Sequence, residues 1–459
     1  MESYSHNFAH FITDLEFRDI PGEVVEKCKT HLLDTLGICF VASTMDYSRM
    51  IYQCVQEQSG DGSCTLIGFP GRSSPAYAAF LNASLVHGLD FDDTHSGAIV
   101  HASTTVAPAG LALGEVKAIS GRDLITAMVA GYEVAIRVGL AAPGEFHKRG
   151  FHATPICGIF GAAGTAGKIL GLTSNQIVHA LGLCGSQASG IQEFLNDGSW
   201  NKKIHPAWAA HGALVNVELA RLGFIGAERV FEGRFGLYST HVGTENWNGE
   251  ELARNLNSDW ETLNISLKPY PCCHFNHAFI DGALHLKEKH RIRPDDIAAI
   301  ECLISDPQSH VVCEPIEVKR NPATVYGVLF SLPFCVAMAL VRGKPGRKDF
   351  SHVDIHDEEV LDLSRKVSYG LDPDSDYPHH FPGVVKIRLK NGELVEYRER
   401  FNRGCPENPM SKEEVVEKFL DNAGDVLNKG KAEELIERIS HLEKIPTITA
   451  LTELCRVER

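Results

Sequence analysis

The sequence predicts a mainly α-helical protein, a large helical body interrupted by a smaller α+β insertion. Three observations predict it. Segments with apolar residues at helical spacing follow one another through the first half, several of them rich in glycine, alanine and serine. The texture changes near Leu263, where β-branched and alternating segments take over. A helix-capping signal at Ser411 then opens a final helical stretch. The predicted division is a helical domain over residues 1–263 plus 402–459, and an α+β domain over residues 264–401.

Residues 21–43 (PGEVVEKCKTHLLDTLGICFVAS) open with proline and acids and then run apolar at a 3.6-residue period, the pattern of a helix start and a core-facing stripe. Residues 74–88 are alanine-rich and similar. Gly121, Arg122 and Asp123 mark another start. Residues 158–171 and 174–190 carry many small residues, which let helix backbones approach closely, so they read as buried central helices. In the insertion, residues 297–305 (IAAIECLIS) have strand-like composition, and residues 319–343 read as one helix. Residues 384–401 alternate apolar and charged around Asn391-Gly392, which predicts a hairpin with a type I′ turn. Ser411 and Glu414 form a capping-box pair. No internal repeat is evident.

A chain of 459 residues exceeds one compact core, in agreement with two domains. The net charge of −15 and the lack of a basic patch exclude nucleic acid as a partner. An anionic substrate must then be held by a few local cations. The start of the chain has neither a basic nor an apolar leader segment, and no apolar run approaches the roughly 18 residues of a membrane span. The 13 cysteines show no CxxC pair and no disulfide framework, so a cytoplasmic, reducing setting is expected.

Four segments carry candidate chemistry. The first is the run from His87 to His95, which includes Asp90, Asp92, Asp93 and Thr94, with His101 beyond it. One such residue reads as a helix cap or a solvated acid, but acids set beside imidazoles tune them for proton transfer. Asp92-Asp93 lacks the further acid that a magnesium–diphosphate site requires. The second is His152, just before Thr154-Pro155, where a helix N-terminus favours an anion; a lone histidine there reads more readily as structural. The third holds Lys202, Lys203, His205 and His211 at the head of an apolar helix; lysines are usually solvated, but one in a pocket wall anchors a carboxylate. The fourth runs from Lys268 through Cys272, Cys273 and His274 to His277. Its adjacent cysteines make a poor metal pair and a strained disulfide. The glycine-rich run at 161–169 has the wrong spacing for a phosphate loop, with Ile169 where a hydroxyl belongs. No HExxH or zinc-type Cys/His set occurs and no dinucleotide fingerprint follows a strand, so neither metal nor organic cofactor is expected.

The segments HGLDFDDT (87–94), GFHATPICGIFGAAGTAGKILGL (150–172), KKIHPAWAAHGA (202–213), KPYPCCHFNHAFIDGA (268–283), FSLPF (330–334) and CPENPMSKEEVVEKF (405–419), in this order, resemble the MmgE/PrpD family. That family includes 2-methylcitrate dehydratase, cis-aconitate decarboxylase and iminodisuccinate epimerase. The resemblance implies a helical domain formed by both termini, a smaller α+β lid domain, a homodimer, and a metal-free active site in the cleft between the domains. It carries family roles onto Asp90, Thr94, His101, His152, Lys202 and Lys268. Two departures stand out: Cys273 occupies a place where decarboxylase-like members can carry a histidine, and Gly327 and Leu329 occupy places that are often acidic and basic.

The expected reaction is proton transfer on a small polycarboxylate. His101 and His152 are the expected acid and base, Asp90 orients a histidine or the Lys202 amine, and Lys202 and Lys268 anchor carboxylates. Thr94, Cys273, His274 and His277 complete the expected substrate contacts. A lyase, either dehydratase or decarboxylase, is ranked first. An isomerase or epimerase needs no new residue type, and a non-catalytic helical binding protein is the alternative of another class.

Overall fold

The computed structural model describes residues 3–457. Helices hold 57% of the described residues and the sheets are small, so the mainly α class predicted from the sequence holds. The described residues contain no helix long and apolar enough to cross a membrane. The chain forms two compact units. The first contains the chain up to Gln192, then Trp200–Ile265, and resumes at Ser411. The second is Ser266–Met410 together with the short segment Glu193–Ser199.

The first unit is built on the helices Gly22–Ser43, Pro75–His87, Ser103–Lys117, Gly121–Leu140, Ala153–Ile169 and Asn201–Arg221. Pro21 is the N-cap of the first of these, with its ring holding φ at −57°. Ser120 caps Gly121–Leu140 by accepting the Asp123 N–H while Asp123 reaches back. The small residues predicted to mark central helices lie where helices cross. A Cβ placed on Gly161 would stand 2.7 Å from both the Ala135 side chain and the Gly131 carbonyl oxygen, so Gly121–Leu140 and Ala153–Ile169 meet backbone to backbone. The last helical region starts at Lys412, with Ser411 accepting the Glu414 N–H in the capping box read from the sequence.

Two boundaries in this unit differ from expectation. The helix expected over 158–171 begins earlier, at Ala153, because Pro155 falls in the first turn, where its missing N–H costs nothing. The helix expected over 174–190 ends at Cys184, where Ser186 and Gln187 tighten into turns on the carbonyls of Leu183 and Cys184.

The second unit has a four-stranded sheet in the order Val367–Leu371, Ile297–Ile304, Gly383–Leu389, Leu394–Glu399. The first pair is parallel and the others antiparallel. Ile297, Ile300, Cys302 and Ile304 are buried along the central strand, and the helices His277–His290 and Leu332–Arg342 complete the apolar core. The hairpin forms as predicted, with Gly383 opposite Glu399. Its turn is not type I′. Only Gly392 takes positive φ (91°), and Leu389 closes the loop by donating to Glu393 and accepting from Gly392, which gives a three-residue turn with a left-handed glycine. The single helix expected over 319–343 is instead three pieces, Ile316–Arg320, Val325–Val328 and Leu332–Arg342. Pro322 lacks an N–H and pushes Asn321 out of the helical region, while Thr324 and Ser331 start new helices by capping Gly327 and Phe334.

Candidate active site

The helix Pro75–His87 delivers His87 on its last turn, and the loop to Ser103 carries the other acids and imidazoles. Two residues of this loop hold backbone conformations that side chains disfavour: Asp90 and Ile99 both have φ of 53°. Hydrogen bonds between His95 and Val100 and from Ile99 N–H to the Ser96 carbonyl enforce the tight bend. Asp93 ties the loop down. Its carboxylate accepts the Ser103 N–H (3.2 Å) and hydroxyl and lies 2.9 Å from buried His31, while the Tyr132 hydroxyl donates to Ser103 Oγ (2.8 Å).

Asp92 is the centre of the cluster. Its Oδ2 lies 2.8 Å from His87 Nδ1 and 3.1 Å from His101 Nδ1. Burial alone would raise this carboxyl, but the two imidazoles hold it well below the usual carboxylate range. His101 Nδ1 also lies 2.8 Å from the Asp93 carbonyl oxygen, which can only accept, so Nδ1 carries the proton. Thr94 Oγ1 stands 3.1 Å from the same nitrogen. Among the described residues Nε2 of His101 has no hydrogen-bond partner. One face of the imidazole is thus fixed by a carboxylate and a carbonyl, and the other nitrogen is left for proton exchange, the arrangement of an oriented acid/base histidine.

His152 caps the helix Ala153–Ile169 in sequence, as expected, and stacks on His87 with ring centres 5.3 Å apart. Its Nδ1 lies 3.2 Å from Nδ1 of His205. Burial takes His87, His147 and His205 down to about 4 and His152 well below its ordinary value, so these imidazoles are neutral at pH 7. The positive charge comes from the helix Asn201–Arg221. Lys202 Nζ pairs with Asp90 Oδ1 at 2.8 Å, both buried. Lys203 donates to the Gly88 carbonyl and lies 4.4 Å from the centre of the Tyr47 ring; burial takes its ammonium down to about 7 against the pull of Asp90. The first unit therefore brings together Asp90, Thr94, His101, His152 and Lys202.

The second unit gathers the remaining predicted residues, Lys268, Cys273 and His274 on the loop before the helix His277–His290 and His277 at its first position. Lys268 and His277 are fully buried, and Cys273 and His274 nearly so. His277 Nε2 faces the Cys272 carbonyl at 3.3 Å, and its ring centre is 4.7 Å from that of His274. Asn402 Nδ2 lies 2.6 Å from His274 Nε2. All 13 cysteines are free thiols.

Could a metal sit at the centre of the first cluster? His87, Asp92 and His101 offer ligand atoms within 4.8 Å of one another. The closeness is that of a hydrogen-bonded set, however. The His101 Nδ1 lone pair is blocked by the proton donated to the Asp93 carbonyl, and Asp92 Oδ2 is engaged with the Nδ1 atoms of both rings, while His87 Nε2 and Asp92 Oδ1 are buried without a hydrogen-bond partner among the described residues. The donor set fits proton transfer better than ligation.

The model of the MmgE/PrpD N-terminal domain matches residues 6–250, and that of the MmgE/PrpD C-terminal domain matches residues 270–444. The chain belongs to the MmgE/PrpD family. The resemblance read from its motifs is thereby established. A cis-aconitate decarboxylase of Aspergillus terreus is 29% identical, with 97% of this chain and 94% of the relative covered. A cis-aconitate decarboxylase-like protein of Aspergillus oryzae is 28% identical over 97% and 95% of the two chains, and the human cis-aconitate decarboxylase is 27% identical over 99% and 95%.

In this MmgE/PrpD chain, sequence reasoning singled out Asp90 but left Asp92 and His87 as unassigned members of the motif. Spacing alone does not tell which of two acids faces an imidazole. The left-handed Asp90 turns its carboxylate to Lys202, so Asp92 meets the histidines. His205 belongs to the Lys202–His211 cluster read from the sequence but was given no role there, and His147 carried no signal.

Proposed function

We propose that this chain is a cofactor-independent lyase for a small di- or tricarboxylate, and within that class a decarboxylase of the cis-aconitate type. The observation that carries the reading is His101, with Nδ1–H held by Asp92 and the Asp93 carbonyl and with Nε2 open. The names of the curated relatives favour decarboxylation over dehydration.

Breaking the bond to a carboxylate releases carbon dioxide and leaves its electron pair on the carbon skeleton. In an unsaturated tricarboxylate the adjacent alkene and carboxylate spread that charge, and the reaction ends when a carbon takes a proton. His101, protonated at Nε2 and facing the ionised Asp92, supplies that proton and is recharged from water. His152, held neutral, is the second proton-transfer group. Lys202, fixed by Asp90, and Lys268 neutralise the carboxylates that stay behind, and Thr94, Cys273, His274 and His277 are proposed substrate contacts. A dehydratase would use the same acid on a leaving hydroxyl.

The test is to incubate the purified protein with cis-aconitate, 2-methylcitrate, citrate and iminodisuccinate in deuterated water and follow the products by NMR. Carbon dioxide and a deuterated product one carbon shorter support the proposal. Loss of water makes the chain a dehydratase, and exchange or inversion without net loss makes it an isomerase. No reaction with any of the four leaves the binding-protein reading.

We infer a homodimer from the outer face of the helix Asn201–Arg221 and the turn after it. Trp208, Val215 and Leu222 recur every seven residues and are 56%, 38% and 70% exposed, and Phe224 and Ile225 in the turn that follows are exposed as well.

A further inference from the structure

The turn that carries Asp90 and Asp92 is held by cations from two distant parts of the chain. Lys203 donates to the Gly88 carbonyl, and Lys202 pairs with the Asp90 carboxylate. The third cation is Lys418, on the C-terminal helix Lys412–Ala423. Its Nζ donates to the Phe91 carbonyl at 3.2 Å, lies 3.8 Å from the centre of the Phe91 ring, and pairs with Asp34 Oδ1 at 2.7 Å. Asp34 sits on the helix Gly22–Ser43, and both charged side chains are buried, at 7% and 3% exposure. Phe91 is the residue between the two functional acids.

A buried ion pair is a poor source of stability, because its two desolvation costs offset the attraction. A position on a turn with an unfavourable backbone is a place where such a pair has something else to do. Left-handed Asp90 turns its carboxylate to Lys202 and Asp92 turns its own to the two imidazoles, and Phe91 is the one residue that joins them. A lysine that grips both the carbonyl and the ring of Phe91 has the leverage to set how the two acids are turned. Burial pushes the Asp34 carboxyl up to about 6 even beside its lysine.

We propose that the Lys418–Asp34 pair is a positioning device that aims Asp92 at His101 by clamping Phe91. Its catalytic consequence rests on the function proposed above, but its structural consequence does not. Lys418 acts through Asp92 and touches no reacting atom.

The test is the double variant Lys418→Met/Asp34→Asn, which removes the pair without stranding a buried charge and is therefore expected to fold with a melting temperature close to that of the wild type. Lys418→Met alone strands Asp34 and serves as the destabilised reference. Two readouts follow on the folded double variant. Its kcat on the substrate found in the screen should fall roughly ten- to a hundredfold, as for a sub-ångström to ångström misplacement of a catalytic group. In protein labelled with nitrogen-15 histidine, the His101 titration midpoint and ring-nitrogen shifts should move away from those of the wild type, which a purely structural pair would not cause. A folded double variant with wild-type kcat and an unchanged His101 titration overturns the proposal. If the wild-type protein turns over none of the candidate acids, the functional reading fails while the His101 titration still decides whether the pair positions Asp92.

Discussion

Asp92→Asn is the most informative single change in the first unit. It keeps the shape of the side chain, removes the charge, and offers an amide that can turn a donor toward the donors on His87 and His101. The carboxylate oxygen stands 3.1 Å from His101 Nδ1. At an effective dielectric of about 20, unit charges at that separation interact by about 5 kcal/mol. This is the gross attraction between Asp92 and a protonated His101, and full loss would correspond to between three and four powers of ten, at about 1.4 kcal/mol each. Part is returned because the buried amide is cheaper to desolvate than the carboxylate, so kcat is expected to fall roughly a hundred- to a thousandfold. The assay is steady-state kinetics on the substrate identified by NMR, with circular dichroism and thermal melting on the same preparation. His101→Ala should fall at least as far, and the double variant little further, because the two groups act as a unit. A folded Asp92→Asn protein with wild-type kcat would refute the role given to the Asp92–His101 pair.

Four further outcomes are expected. Unfolding by urea should need less denaturant as pH falls from about 6.5 to about 4: His87, His147 and His205 are lowered from 6.5 to about 4 by burial, so the unfolded chain takes up protons that the folded chain refuses. Asp34 and Asp281, raised from 3.8 to about 6, act in the opposite sense, and a midpoint that holds steady or rises over this window would show that they dominate. Activity should survive exhaustive EDTA treatment, and a loss that added metal restores would assign His87, Asp92 and His101 to an ion after all. Lys268→Arg keeps the cation and alters its geometry, so it should raise KM more than it lowers kcat; the reverse split would move Lys268 from binding to chemistry. Leu222→Glu should convert a dimer to a monomer in analytical ultracentrifugation, and a wild-type mass equal to one chain would remove the dimer proposal at the start.

The parts of this molecule legible in the sequence were those written in local code. The Pro21 start, the Ser120 and Ser411 caps and the alternation on either side of Asn391-Gly392 each depend on residues a few places apart. Where two local signals conflict, the reading failed. Residues 319–343 are apolar at helical spacing, yet Pro322 and the caps at Thr324 and Ser331 break them. The candidate site divides in the same way. His101 stood out in a dense cluster of acids and imidazoles, and His152 and Lys202 through the motifs that resemble the family, whereas the partners that give them roles lie across the fold. Asp90 and Lys202 are 112 residues apart, and Asp34 and Lys418 join opposite ends of the chain. No sequence period encodes such pairs. The division of labour between Asp90 and Asp92 depends on a single backbone dihedral.

Ile99 has a consequence for engineering. A β-branched residue held at φ of 53° costs of order 1–3 kcal/mol, so the site loop is a ready target for anyone seeking a hardier enzyme. Glycine there would relieve the backbone and also let the bend between His95 and Val100 open, and that bend leads directly to His101. Gains in heat tolerance from this loop would be drawn from turnover, and a programme of improvement does better to leave residues 90–101 untouched and work on the outer faces of the helices.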